Sequence, residues 1–382
     1  MSTARIAILG TVGVPAAYGG FETLAENLVR HRETLKTPPD LTVYCAASAF
    51  ASRPARYRGA RLCYLPLRAN GAQSMLYDAV SLVDAVLCGH DRLLLLGVSG
   101  ALALPLVRCF GRARIVTNID GIEWQRAKWG RLARAVLRAS EWAAVRFSDE
   151  VIADNAAIAR HVATRYGRAC HTIPYGGDHA RATAPDPAGA EGLPQSYALA
   201  LCRIEPENNV ALVLEAWSRL SAPLVFVGNW DASAYGRALK ARYGAHPSIR
   251  ICDPVYDPAR LRAIRDRATL YVHGHCAGGT NPALVEMMQF GVPVLAHGCI
   301  FNRETTENAA LYFDTPDDLI RAVNTLARRP DAARQTGARM REIAERRYRW
   351  AEVGAAYFAL LDPAGAREQD VPAPDQTGNR AA

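Results

Sequence analysis

The sequence predicts an α/β protein made of two doubly wound domains in tandem. Short runs of β-branched residues or leucine alternate with longer helical stretches, which is typical of parallel sheets covered by helices. The alternation stops once, at the Ala-, Pro- and Gly-rich residues 179–196, and then starts again. The chain has 382 residues and half of them are apolar, which suits two hydrophobic cores and excludes a disordered chain.

The elements follow in order from this alternation. In the first half we expect strands at 4–10, 41–46, 62–66, 92–97, 114–119, 150–154 and 171–174, with helices at 20–31, 73–88, 100–110, 126–147 and 155–166. In the second half we expect strands at 197–202, 224–228, 249–252, 269–273, 292–296 and 310–313. Its helices are expected at 207–220, 233–243, 257–267, 282–290 and 302–308, with two or three more over 316–361. The domains are therefore predicted at 1–178 and 197–345, joined by a linker at 179–196, and residues 362–382 are expected to form a disordered tail.

Charge is distributed unequally between these halves. Residues 1–178 hold 22 basic and 14 acidic side chains, whereas the rest of the chain holds 23 of each. The predicted helix 126–147 places Arg131, Arg134 and Arg138 on one face and an apolar stripe that includes Leu132 on the other. The basic face is either the solvated side of a helix whose apolar stripe packs on the core, or a surface that attracts anionic lipid. Nucleic-acid binding is not expected, because no recognition helix or aromatic basic strand accompanies the charge.

The compartment is expected to be the cytoplasm, with the protein peripheral on the inner face of the plasma membrane. The start of the sequence runs directly into a strand and lacks the pattern of a signal peptide. The longest apolar run, 93–107, is too short to span a bilayer. The nine cysteines are odd in number, have no Cys-x-x-Cys pair and mostly occupy apolar patterns, as in a reducing compartment.

A glycine-rich loop follows the first strand and leads into the first helix. Its glycines are Gly10, Gly13, Gly19 and Gly20. Glycine lets the backbone approach a ligand closely, so the loop is either part of a ligand site or a set of tight turns. A nicotinamide cofactor is not expected, since the spacing differs from Gly-x-Gly-x-x-Gly and no acidic residue ends the second strand.

Carboxylates and tryptophans cluster after the fifth strand, in Asp120-Gly-Ile-Glu123-Trp124. Carboxylates accept hydrogen bonds from sugar hydroxyls and indoles stack on sugar rings, so the cluster favours a saccharide site. The alternative is that Asp120 and Glu123 cap the next helix.

The second half places an arginine and a glycine loop at its strand ends. Arg203 ends the first strand of this half. Its guanidinium either binds a diphosphate there or forms an ion pair with Glu205 or Glu207. A later strand runs into His273-Gly-His275-Cys-Ala-Gly278-Gly279-Thr280-Asn281-Pro282, with Asn281 as N-cap and Pro282 at the first helical position. We expect amides near Gly279 to face an anion, and Glu286 to accept from ribose hydroxyls. No further ligands accompany the two histidines and no Asp-x-Asp occurs, so a metal is not expected.

These motifs resemble the retaining, family-4 glycosyltransferases of the GT-B fold, and most closely the rhamnosyltransferase-like branch of bacterial surface-polysaccharide assembly. The resemblance spans about residues 4–361. It rests on six segments: Tyr18-Gly-Gly-Phe-Glu-Thr23, Asp120-Gly-Ile-Glu-Trp124, Ala153-Asp-Asn155, Pro174-Tyr-Gly-Gly-Asp178, Arg203-Ile-Glu-Pro-Glu-Asn-Asn209 and the stretch from His273 to Glu286. It implies two Rossmann-like domains facing across a cleft and a helix, 346–361, that returns to the first domain.

The resemblance also implies roles for particular residues. Catalytic roles fall to Asp120, Glu123 and Arg203. Donor contacts fall to Gly19, Gly20, Arg203, Asn208, His275, Gly278, Gly279, Thr280, Asn281 and Glu286, and acceptor contacts to Tyr18, Glu22, Trp124 and Asn155. Two positions depart from the family pattern: Gly278 replaces the first glutamate of the family's Glu-x7-Glu pair, and Asn208 replaces a lysine.

The expected reaction is transfer of a sugar from a nucleoside diphosphate to a lipid-linked saccharide in capsule, O-antigen or exopolysaccharide synthesis, with retention and without a metal or other cofactor. The first choice of donor is dTDP-L-rhamnose. The alternatives are a hexosyltransferase using a UDP- or GDP-sugar and a sugar-nucleotide epimerase or hydrolase of the same fold.

Overall fold

A computed structural model describes residues 4–16, 19–126 and 129–365. It contains two parallel α/β sheets in succession, which confirms the predicted fold class. Alternate residues of the first strand enter different cores: Ile6 and Ile8 join one cluster and Ala7 and Leu9 another. The strand is therefore buried on both faces, which explains why it is a continuous apolar run rather than an alternating one.

The first sheet has eight strands in the order β3-β4-β2-β1-β5-β6-β7-β8. All neighbours are parallel except β3 and β4, which form a short antiparallel edge that the sequence did not predict. The strands are β1 Arg5–Leu9, β2 Asp40–Ala46, β3 Arg56–Tyr57, β4 Ala60–Leu65, β5 Arg92–Leu96, β6 Arg114–Asn118, β7 Glu150–Ala153 and β8 His171–Thr172.

The second sheet has six parallel strands in the order β11-β10-β9-β12-β13-β14. They are β9 Tyr197–Leu201, β10 Leu224–Val227, β11 Ile249–Cys252, β12 Ala268–His273, β13 Val294–His297 and β14 Leu311–Phe313. The predicted linker holds two short 3-10 turns, and its residue Asp186 donates its N–H to the carbonyl of Ala259 at 2.9 Å. This segment therefore packs onto the second sheet's helices.

Helices connect the strands as the alternation predicts. They are α1 Gly20–Arg32, α2 Ser74–Leu87, α3 Leu104–Phe110, α4 Arg131–Phe147, α5 Ala156–Tyr166, α6 Val210–Trp217, α7 Ala234–Tyr243, α8 Pro258–Asp266, α9 Pro282–Met288, α10 Ile300–Thr305, α11 Pro316–Arg328, α12 Pro330–Arg347 and α13 Trp350–Leu361. Helix α13 lies against α1 in the first half, where the hydroxyl of Tyr357 accepts from the amide of Asn118 at 2.5 Å.

The basic helix differs from its prediction in two ways. It begins at Arg131 rather than at 126, after a 3-10 turn at Glu123–Gln125; residues 127 and 128 lie outside the described part of the chain. Leu132, expected in the buried stripe, is 80% exposed. The first turns of α4 extend beyond the sheet, so only its C-terminal half, with Ala143 and Val145, is buried in the core.

Candidate functional site

Each sheet has one point where the chain reverses the direction in which strands are added. In the first sheet this point lies between β1 and β5, and in the second between β9 and β12. Loops at the carboxyl ends of such strand pairs diverge and leave a crevice, which is where open α/β sheets bind ligands. The loop from Gly10 follows β1, Arg203 follows β9, and the stretch from Gly274 to Thr280 follows β12.

Arg203 lies at this point of the second sheet and is half exposed. Its guanidinium is 3.9 Å from the carboxylate of Glu205, at the limit of an ion pair. Its backbone carbonyl accepts from the side-chain amide of Asn208 at 2.6 Å. The loop is thus fixed through its backbone while the charged group remains accessible to a ligand.

Asn208 connects Arg203 to the loop after β12. It is 3% exposed, and its carbonyl oxygen lies 2.5 Å from Nδ1 of His275. Burial lowers the pKa of His275 to about 4; Glu207 opposes this lowering, and Arg126 and Arg203 add to it. His275 is therefore neutral at physiological pH, so Nδ1 carries the proton donated to Asn208. Asn208, predicted as a donor contact, is placed by the structure as a brace between two loops.

The glycine loop Gly278–Thr280 is held by the end of β7 in the other half of the chain. The N–H of Thr280 donates to Oδ2 of Asp154 at 3.1 Å, and the Thr280 hydroxyl donates to the backbone carbonyl of Asp154 at 2.6 Å. A Cβ on Gly279 would lie 1.8 Å from Oδ1 of the same carboxylate. Glycine is thus required at position 279 because the Asp154 carboxylate occupies the space of a side chain.

Asn155 completes this contact. Its amide nitrogen lies 3.2–3.3 Å from the hydroxyls of Thr280 and Thr305 and from the carbonyl of Phe301, and its oxygen caps α5 by accepting from Ala157. The sequence pattern placed Asn155 at the acceptor. In the structure it is buried, and these contacts occupy both its amide nitrogen and its oxygen.

The start of α9 offers fewer free N–H groups than the sequence suggests. The N–H of Thr280 is bonded to Asp154, Pro282 has none, and the N–H of Ala283 donates to the side chain of Asn281 at 3.0 Å. Asn281 is the N-cap, as predicted. The half-exposed Arg203 is an accessible positive group at the same edge of the sheet.

The two halves meet at further close contacts. A Cβ on Gly121 would lie 2.7 Å from Cα of Gly278, and a Cβ on Gly20 would lie 3.6 Å from the ring of Pro282. Arg126 forms ion pairs with Glu123 on its own side at 2.5 Å and with Glu207 across the cleft. The predicted donor and acceptor loops are therefore adjacent, as a transfer between two bound substrates requires.

Asp120 lies at this junction with a left-handed backbone, φ 61°, and its N–H donates to the side chain of Asn118 at 2.9 Å. Burial and the neighbouring Glu123 raise the pKa of the Asp120 carboxyl to about 7, against the opposing effect of Arg126 and Arg203. Glu123 accepts from Arg126 and, at 3.4 Å, from the indole of Trp129. Neither carboxylate caps α4, which begins eight residues beyond Glu123.

Trp124 and Glu22 make internal contacts. The Trp124 indole N–H donates to the buried Glu141 at 3.0 Å, and the Arg138 guanidinium lies 4.2 Å from its ring centre. A cation therefore already covers the aromatic face that was predicted to stack on a sugar. Glu22 accepts from the N–H of Val12 at 2.9 Å and so closes the glycine loop beside Gly19. Tyr18 lies outside the described residues.

Glu286 is held by an ion pair with Arg265 and by a contact with the imidazole of His179. One carboxylate oxygen pairs with Arg265 and the other is 3.2 Å from Nε2 of His179. Burial alone would raise the pKa of Glu286, but Arg265 and His179 hold it down at about 2. Glu286 is therefore ionised and oriented before any ligand binds.

Sequence reasoning missed Asp154, Arg126, Arg265 and His179 as individual site residues. Asp154 carried a usable signal, because a polar residue directly after a buried parallel strand points to the ligand edge of the sheet. Arg265 and His179 carried none, since an arginine on a helix and a histidine in an apparent linker are common.

The architecture described above is that of the GT-B fold. Sucrose-phosphate synthase from Thermosynechococcus elongatus superposes with a TM-score of 0.79 at 16% identity, covering 95% of this chain and 100% of that one. Anabaena HepE in complex with UDP and glucose superposes with a TM-score of 0.71 at 15% identity, covering 94% of this chain and 100% of that one. The catalytic domain of starch synthase IV from Arabidopsis thaliana, bound to ADP and acarbose, superposes with a TM-score of 0.67 at 12% identity, covering 96% of this chain and 100% of that one.

Residues 195–329 match the glycosyl transferases group 1 family, and residues 3–178 match a domain of unknown function, DUF1972. The chain therefore has the GT-B fold, and its residues 195–329 form a glycosyl transferases group 1 domain. No curated protein sequence matches the chain. Among the described residues, no helix combines the length and apolar character needed to cross a membrane.

Proposed function

We propose that the protein transfers a sugar from a nucleoside diphosphate to a hydroxyl of a lipid-linked saccharide, with retention of configuration. The donor binds the second half beside Arg203 and the acceptor binds the first half. Our first choice is L-rhamnose from dTDP-L-rhamnose, for assembly of a bacterial surface polysaccharide.

The accessibility of Arg203 carries this proposal. Its backbone is braced by Asn208, its guanidinium is half exposed, and it lies at the reversal point of the second sheet. A guanidinium binds phosphate oxygens bidentately and stabilises the negative charge that develops on a departing diphosphate. Solved structures of the same fold are described as complexes with UDP, UDP-glucose or ADP, which supports a nucleotide donor.

The first half supplies the groups that orient hydroxyls. Asp120 and Glu123 lie beside Arg126 at the junction of the halves, and we propose that they accept hydrogen bonds from acceptor or sugar hydroxyls. We propose that the departing phosphate assists deprotonation of the acceptor. Arg203 would supply the charge stabilisation that a divalent metal supplies in other transferases, so that no metal or other cofactor is needed.

The absence of a side chain at Gly278 bears on donor choice. Family-4 enzymes usually place a glutamate here, and in this chain the glycine instead allows close contact with Gly121. A 6-deoxy sugar has one hydroxyl fewer to bind, which favours rhamnose over glucose.

A transfer assay tests the proposal. The purified chain is incubated with dTDP-rhamnose, UDP-glucose or GDP-mannose and a lipid-linked saccharide, and the glycosylated lipid is identified by mass spectrometry and its anomer by NMR. Rhamnosyl product from dTDP-rhamnose, undiminished by EDTA, is the expected result. Transfer of another sugar overturns the donor assignment, while loss of activity in EDTA overturns the metal-free mechanism. Free sugar or an epimerised nucleotide without lipid product overturns the transferase proposal in favour of the alternative enzymes.

We also propose that the first half docks on anionic lipid through α2, α3 and α4, which pack side by side. Leu87, Phe110 and Leu132 are 77%, 75% and 80% exposed on these helices. Arg131 and Arg146 of α4 are exposed as well. Apolar side chains flanked by arginine suit the boundary between headgroups and acyl chains.

Sedimentation with liposomes tests this contact. The chain is expected to sediment with phosphatidylglycerol-rich vesicles at low salt and much less with phosphatidylcholine. Combined Leu87→Ser, Phe110→Ser and Leu132→Ser changes should abolish sedimentation, whereas the control Tyr256→Ser, at a 57% exposed position in the other half, should not. Equal sedimentation of the triple variant contradicts the proposed surface.

A further inference from the structure

Two segments join the halves of the chain, and they lie side by side. One is residues 176–179 and the other is residues 348–350; together we call them the hinge. The N–H of Gly177 donates to the carbonyl of Tyr348 at 2.8 Å, and the N–H of Trp350 donates to Asp178 at 2.9 Å. A Cβ on Gly176 would lie 2.6 Å from the indole of Trp350. The two crossings therefore form one bonded unit.

His179 lies on this hinge and contacts both sides of the molecule through its two ring nitrogens. Nδ1 is 2.8 Å from Nε1 of Trp350, the first residue of the helix that returns to the first half. Nε2 is 3.2 Å from Oε1 of Glu286 in the second half. The imidazole is thus the direct link between α13 and the predicted donor site.

The two partners of His179 determine which ring nitrogen carries the proton. An indole N–H is a donor only, so Nδ1 must accept from it and cannot itself be protonated. The proton therefore resides on Nε2, which donates to Glu286. A histidine protonated on both nitrogens would direct an N–H at the N–H of Trp350, which the observed contact does not allow.

Glu286 has little freedom to reorient once these contacts form. Its other oxygen pairs with the buried Arg265, and Gly177 packs so closely on α9 that a Cβ would lie 2.8 Å from the N of Glu286. Breaking the His179 contact removes one of two fixed partners. The carboxylate then rotates about its remaining contact with Arg265.

We infer that His179 is a positioning residue for the donor site, which holds Glu286 in its binding orientation only while the hinge keeps Trp350 against the imidazole. This inference rests on the proposed function, in which Glu286 accepts from the donor. It adds that hinge geometry, and hence the relative placement of the two halves, controls donor affinity through the orientation of one imidazole.

Substitutions at two residues, Trp350 and His179, separate this role from simple packing. Trp350→Phe keeps the ring and removes only the N–H, so the imidazole of His179 loses the contact that orients it towards Glu286. His179→Gln keeps a side-chain N–H near the position of Nε2, whereas His179→Ala removes it. The matched control is Trp217→Phe, which removes another buried indole N–H, the one that donates to Ala222 at 2.9 Å, within the core of the second half.

Donor KM and kcat are measured for the four variants of the full chain. Losing a hydrogen bond to a charged group is expected to raise donor KM about tenfold in Trp350→Phe and His179→Ala. The value for kcat is expected to change less than about threefold, because Glu286 contacts the donor away from the reacting atoms. His179→Gln and Trp217→Phe should retain donor KM within about twofold. Equal donor KM in Trp350→Phe and Trp217→Phe overturns the inference.

NMR of the ¹⁵N-histidine-labelled chain gives an independent readout. The ring nitrogens of His179 should show a protonated Nε2 and an unprotonated Nδ1 in the wild type. A protonated Nδ1 in the wild type overturns the inference whatever the kinetics show. If no nucleotide sugar is turned over, the proposed function fails, and the tautomer still decides whether the hinge contact exists.

Discussion

Substitution of Gly279 by alanine is the sharpest test of how the two halves are held. The added Cβ would lie 1.8 Å from Oδ1 of Asp154, well inside the contact distance of carbon and oxygen. The carboxylate cannot turn away freely, because it is buried and its other oxygen accepts from the N–H of Thr280. The loop must therefore separate from β7, or the core around Asp154 must shift.

The expected cost follows from these contacts. Overpacking of this kind typically costs about 1–3 kcal/mol, and a change of about 2 kcal/mol lowers the melting temperature of a domain of this size by about 4–8 °C. Asp154→Ala should cost a similar amount, since it leaves the buried N–H of Thr280 without an acceptor. In the double variant the clash no longer exists. Its loss of unfolding free energy should therefore be smaller than the sum of the two single losses by about 1 kcal/mol or more.

Calorimetry on the two single variants and the double variant provides the assay. Gly130→Ala is the control, because that glycine has φ −69° and no described atom within 4 Å of its added Cβ; as the N-cap of α4 it should lose less than about 1 kcal/mol on substitution. Strictly additive losses, or a Gly279→Ala variant as stable as the wild type, would refute the contact between this loop and Asp154.

Two other predictions concern the charged groups of the site. Arg203→Ala should leave the melting temperature unchanged, since the side chain is half exposed, and should lower kcat/KM about 100-fold. Arg203→Lys should recover only part of this activity, because lysine does not bind phosphate bidentately. The control Arg219→Ala, which removes an exposed ion pair with Asp317, should keep full activity. The pKa of Asp120 is raised to about 7 from 3.8, so the folded protein holds this proton more tightly than the unfolded chain. The resulting stabilisation of the wild type is present below pH 4 and is lost as pH rises to 7. Calorimetry from pH 4 to 7 should therefore show the melting temperature of Asp120→Asn rising relative to that of the wild type. Melting temperatures that change in parallel with pH would count against the raised pKa.

The sequence by itself determined the architecture. Apolar runs such as 93–96 and 224–227 have no alternation, because parallel strands are buried on both faces, and this distinguishes them from antiparallel strands. The N-cap Asn281 followed by Pro282 fixed the start of α9, since both act through local backbone geometry. The identity of Arg203 and of the glycines as strand-end residues followed from the same pattern.

Tertiary structure alone decided how the site residues are engaged. Asn155 and Asn208 appeared as ligand contacts, but partners 125 and 67 residues away use their polar atoms. The guanidinium of Arg138 lies over the ring of Trp124. Leu132 is exposed rather than buried in the core, because the first turns of α4 extend past the sheet. The contacts of Asp154 with Thr280 and of His179 with Glu286 join residues more than 100 positions apart. Local pattern carries no record of such pairs, because hydrogen bonds between the halves depend on where the folded chain places their atoms and not on spacing along it.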